Sequence, residues 1–138
     1  MELNYLAIIV ATVVDFVIGA VWYSALFGKL WGKFHGFDKL SKAEQDRLAK
    51  SMGPFYAVQA IVTFITVYIL ALFLAAVPTA IPYEVASLVW LGFILPTQIS
   101  AVIFGNVKRS NMIPMIAIQS GAAFICIEAA AFVLTIMR

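Results

Sequence analysis

The run GPFYAVQAIVTFITVYILALFLAAV, from Gly53 to Val77, contains no charged residue, and its reading decides the fold. It is longer than the ~20 apolar residues an α-helix needs to cross a hydrocarbon layer of ~30 Å. A barrel strand would be ~10 residues long and would alternate apolar with polar; this run does neither. Three more stretches read the same way: about Leu3 to Phe27, interrupted only by Asp15; about Pro82 to Phe104, with Glu84 near its start; and about Asn111 to Met137, which carries Glu128. The composition agrees. Of 138 residues, 64% are hydrophobic and 12% charged, whereas a soluble domain is about half apolar and a quarter charged. That is too little charge to coat a water-facing surface, which excludes an ordinary cytosolic enzyme and a nucleic-acid-binding module. The expected architecture is all-α: one domain formed by a bundle of four transmembrane helices over about 3–27, 53–77, 82–104 and 111–137.

The basic residues orient the bundle. The segment 28–52 holds Lys29, Lys33, Lys39, Lys42, Arg47 and Lys50, the link after the third span holds Lys108 and Arg109, and Arg138 alone lies on the other side. The positive-inside rule then places both basic segments in the cytoplasm and both termini outside, in a bacterial inner membrane. This bias accounts for the basic patch, so no nucleic-acid partner is expected. The first span carries Glu2 and no Lys or Arg ahead of it and is too long for a signal-peptide core, so it is expected to stay as a helix. Within 28–52, Ser41-Lys42-Ala43-Glu44 fits a capping box. It predicts a short amphipathic helix on the inner leaflet with Leu40, Ala43, Leu48 and Met52 on its apolar side, ending at Gly53-Pro54. Phe34 and Phe37 are expected in the same interface, and His35, alone there, is not read as a ligand. No internal repeat is visible.

Asp15 is the strongest functional signal. Near the middle of a span, an unpaired ionised carboxylate costs at least ~2.5–3.5 kcal/mol on insertion scales, so it should face the bundle and be paired or protonated. Glu128 is the second such acid. Asp15 lies 12 residues beyond Leu3 and Glu128 ten before Arg138, so at 1.5 Å per residue both sit roughly 15–18 Å from the outer ends of their helices. At one level they can meet, within one chain or between two, and would then share a proton. Gln59, Gln98 and Gln119 fall nearer the cytoplasmic half and suggest a polar path or a polar packing seam, since each needs hydrogen-bond partners in lipid. Pro96 deprives the Gly92 carbonyl of its usual partner, which predicts a kink in the third span. Gly19 and Gly121 suit close helix packing. Trp22, Tyr23 and Trp31 read as an aromatic belt or, less simply, as a pocket, and Tyr83 as belt. Glu84 is near enough to the interface to be solvated.

Catalysis finds little support. Cys126 is the only cysteine and His35 the only histidine, so neither a disulfide within the chain nor a Cys/His metal cluster can form. No cofactor is expected, and the chain is not read as an enzyme.

The segment Gly19-Ala20-Val21-Trp22-Tyr23-Ser24-Ala25-Leu26-Phe27-Gly28-Lys29-Leu30-Trp31 resembles the signature of a bacterial membrane family, domain of unknown function 1761 (DUF1761). Leu91-Gly92-Phe93-Ile94-Leu95-Pro96-Thr97 resembles its second signature. Ala25 stands where that signature would have Pro. The resemblance extends over nearly the whole chain and implies a four-helix architecture, with no catalytic residues to carry over. A separate likeness of site is to the small multidrug-resistance transporters, four-helix chains with an essential acid in the first helix; here Asp15 is followed by Phe16-Val17-Ile18-Gly19. The long segment 28–52 and Glu128 depart from that pattern.

These readings converge on a small inner-membrane protein, a homo-oligomer among membrane lipids, with Asp15 and Glu128 as a protonatable site that moves protons or a small cation as a transporter or channel. The alternatives are a structural or partner-binding membrane subunit, in which both acids are hydrogen-bonded between helices, and a lipid- or quinone-binding protein.

Overall fold

The computed structural model describes residues 2–138, and no strand occurs among them. In chain order the elements are α1 (Tyr5–Val21), a π-helical turn (Trp22–Leu26), α2 (Gly28–Phe34), a short 3₁₀ turn (Phe37–Lys39), α3 (Lys42–Ser51), α4 (Gly53–Ala76), α5 (Pro82–Val89), a second π-helical turn (Trp90–Ile94), α6 (Leu95–Ile103) and α7 (Arg109–Ile136). Four stretches are long and apolar enough to cross a membrane: Tyr5–Leu26, Gly53–Ala76, Pro82–Ile103 and Arg109–Ile136. The all-α bundle of four spans is therefore the observed fold, and it fits a multi-pass membrane protein.

Local chemistry sets the helix ends. The Asn4 side chain caps α1 by accepting from the Ala7 amide at 3.1 Å, and Pro54 and Pro82 occupy first-turn positions where no amide hydrogen is needed. Ser41 and Glu44 form the expected capping box, with the Ser41 amide donating to the Glu44 carboxylate at 3.0 Å and the Glu44 amide to the Ser41 hydroxyl at 3.3 Å. The segment 28–52 is more helical than expected, because α2 precedes α3. The two are joined through Gly36, whose φ of +72° lies in the left-handed region that glycine enters without a Cβ clash.

Span three breaks its α-helical hydrogen bonding just ahead of Pro96, the residue at which a kink is expected. The Leu95 amide donates to the Trp90 carbonyl, five residues back, so a π turn takes up the disruption just ahead of Pro96. The Thr97 hydroxyl lies 2.8 Å from both the Phe93 and Ile94 carbonyls and satisfies backbone that the turn leaves open. Span one ends in the same kind of turn, where the Phe27 amide donates to Trp22 at 2.9 Å.

α7 is the hub of the bundle. It runs antiparallel to α1 in constant register, tied at one end by the Asn4 side-chain amide donating to the Met137 carbonyl at 2.6 Å and towards the other by the Trp22 indole on the Ile118 carbonyl. The core is built from Ala7, Ile8 and Ala11 of α1, Val67, Leu70, Ala71 and Leu74 of α4, Ala86 of α5, and a run of α7 residues from Ile127 to Leu134. Alanines at these contacts let backbones approach closely, as association within lipid requires. This core lies towards the end that carries both termini. At the opposite end, which carries the segment 28–52, α4 separates from its neighbours: from Gly53 to Thr66 it has no buried residue.

Candidate functional site

Asp15 sits midway along span one, ten residues from Tyr5, or about 15 Å at 1.5 Å per residue. It shares the buried face of α1 with Ile8 and Ala11, and only 6% of its surface is exposed. Its carboxylate oxygen Oδ1 is buried and has no hydrogen-bond partner. The Cys126 thiol approaches the Asp15 backbone carbonyl at 3.6 Å, which brings α7 against α1 at this level. Nothing lies within 4 Å of where a Cβ would stand on Gly19, one turn on. A cleft at the termini end, lined by Leu3, Asn4, Ala7, Leu74 and Arg138 among others, has no contribution from Asp15.

Glu128 reaches the level expected of it but faces another way. Its Oε1 accepts from the Ser87 hydroxyl of α5 at 2.6 Å. Cys126 and Glu128 are two residues apart, which is a rotation of about 200° around α7. With Cys126 turned to α1, Glu128 therefore turns to α5. Depth arithmetic places the acids level; it does not fix their direction, and within the chain no hydrogen bond joins them.

The glutamines do not form one layer. The Gln119 side-chain amide lies 3.4 Å from the Gln98 backbone carbonyl, joining α7 to α6. Gln59 stands apart on the exposed side of α4, where its amide donates to Thr63 of the same helix at 3.3 Å. The expected path thus reduces to a contact between Gln98 and Gln119.

Each π turn begins with a tryptophan, and each indole N–H donates to α7: Trp22 to the Ile118 carbonyl at 3.0 Å and Trp90 to the Ser120 carbonyl at 2.8 Å. Trp22 thus turns into the bundle, away from the belt expected of it. Its ring passes over Gly121, where an added Cβ would lie 3.2 Å from Cζ2. Trp90 packs edge-on against Phe124 with centroids 5.0 Å apart. Tyr23 and Trp31 stack edge-on at 5.0 Å, and Trp31 meets the His35 ring at 4.6 Å. The three rings join α2 to the end of span one. Sequence reasoning missed Trp90 and Ser87; the Val-Trp pair repeated at 21–22 and 89–90 was the available sign of the first.

Among the described residues no group of three or more His, Cys, Asp or Glu side chains is placed to hold a metal ion. What the arrangement offers is one enclosed carboxyl at mid-membrane depth, next to a helix held by two indole hydrogen bonds.

No curated protein and no solved structure matches the chain. The family model described as "Protein of unknown function (DUF1761)" matches residues 6–135, nearly the whole length. Both segments that carry the resemblance, Gly19–Trp31 and Leu91–Thr97, fall inside that match; the first holds the whole of one π turn and the second all of the other but Trp90. The chain belongs to the DUF1761 family.

Proposed function

We propose that the protein moves protons or a small cation across a membrane, with the carboxyl of Asp15 as the protonatable site. The observation that carries this reading is the enclosed, partnerless Oδ1 of Asp15 halfway along a span. At such depth a carboxylate is neutralised by a proton or by a bound cation, and exchanging one for the other is the elementary step of coupled transport. Access requires rearrangement, because only 6% of the residue's surface is exposed. The two π turns supply a place for it, since a π turn holds one residue more than the α-helix and marks where a helix can shift. The basic residues orient the segment 28–52 towards the cytoplasm, and a bacterial inner membrane is the natural setting.

Glu128 takes a different part in this reading. Its bond to Ser87 ties α5 to α7, as polar side chains do between membrane helices. The same kind of bond, made also by Trp22 and Trp90, supports a second reading in which the chain is a structural membrane subunit. Reconstitution separates the two. Purified protein in liposomes under a pH gradient and a potential is expected to pass protons, and Asp15→Asn, folded by circular dichroism, is expected to pass none. A folded Asn variant with undiminished flux would remove the proposal, and absence of flux in both would favour the structural subunit.

A further inference from the structure

α4 presents a second face that the bundle leaves bare. Val67, Leu70, Ala71 and Leu74 are buried against the other helices. Phe55, Gln59, Val62, Thr66, Ile69 and Phe73 follow one another at spacings of four and three residues along a neighbouring side, and all six are exposed. That alternation is the seam of a left-handed helix pair, in which each side chain enters a gap on a facing helix. A purely apolar stripe would be satisfied by lipid, but this one contains Gln59, six residues and about 9 Å inside the end of α4. Its amide nitrogen has one partner, Thr63 of its own helix at 3.3 Å, and no donor reaches its Oε1 among the described residues. Lipid tails offer no hydrogen bonds to such a group; a protein surface does.

We propose that this seam binds a second copy of the chain, with the two α4 helices parallel about a two-fold axis along the membrane normal. Copies inserted in the same direction place each seam residue opposite itself. A glutamine amide carries both donor and acceptor, so two Gln59 side chains satisfy each other across the axis. A single polar layer of this kind also fixes register in an otherwise apolar seam. Thr66, whose hydroxyl is already bonded to the Val62 carbonyl at 3.1 Å, supplies a small layer two turns away. The seam lies apart from Asp15, so the pairing stands or falls independently of the transport reading.

The test uses purified protein in liposomes, where another copy is the one protein partner present. In a Cys126→Ala background, single cysteines at 59, 62 and 66 are expected to cross-link on oxidation at least about five times faster than cysteines at 58, 61 and 65. The latter replace Val58, Ile61 and Ile65, which are also exposed but lie about 100° away around the helix from the seam residue that follows each. Gln59→Leu, on a lipid-accessible position where the fold is not at stake, is expected to weaken dimerisation measured by energy transfer between labelled copies by about tenfold, the effect of losing two interhelical hydrogen bonds. Cross-linking that peaks at 58, 61 and 65, or occurs nowhere, would overturn the seam. An unchanged dimer in Gln59→Leu would overturn the role of Gln59.

Discussion

Gly121 and Gly19 separate two reasons for a glycine in a membrane helix. At Gly121 the Trp22 ring fills the space of a side chain, while around Gly19 nothing lies within 4 Å. Gly121→Val is therefore expected to destabilise the protein by about 1–3 kcal/mol, the usual cost of overpacking, and to break the Trp22 bond to Ile118. Gly19→Ala is expected to be neutral or slightly stabilising, since alanine is the better helix former. Thermal unfolding in one lipid or detergent checks both; equal losses would contradict the packing described. At this scale the sequence was only partly legible. Asp15 stands out because a charge in an apolar run is costly wherever it points. Its lack of a partner, and the Ser87–Glu128 bond, depend on the direction of side chains around their helices, which residue spacing along one helix does not relate to another.

Between elements, the bonds made to α7 divide into those that hold and those that act. Glu128→Gln keeps an oxygen for the Ser87 hydroxyl, so it is expected to retain stability and proton flux where Asp15→Asn loses flux. Ser87→Ala is expected to cost about 0.6–1.7 kcal/mol, the range for interhelical hydrogen bonds in membranes, also without loss of flux. Flux assays beside unfolding curves check this; loss of flux in a folded Glu128→Gln protein would restore the acid pair as the working unit. Helix boundaries were legible because the apolar runs and the Ser41–Glu44 cap are local signals. The π turns were not, because each adds a residue to a helix without changing its composition. That extra residue shifts everything beyond it by about 100° around the axis, so in span three the residues of α6 do not continue the faces that spacing along α5 gives.

In the molecule as a whole, the helices close tightly around alanines at the termini end and part at the other, where α4 stands clear of its neighbours from Gly53 to Thr66. The membrane setting follows from composition and the four spans from the apolar runs. The uneven closure follows from neither, since apolar residues facing lipid and apolar residues facing a core are chemically alike. Asp15 lies at the loop side of the closed half, four residues from Ala11 and beyond the cleft at the termini end. That position makes its protonation state the quantity on which the functional account turns. The most direct measurement is difference infrared spectroscopy of isotope-labelled aspartate in the protein embedded in bilayers, stepped through pH, beside Asp15→Asn. The account predicts a protonated carboxyl band that is lost as pH rises, returns as it falls, and is missing from the variant. A wild-type spectrum with no reversible band that Asp15→Asn abolishes would contradict it.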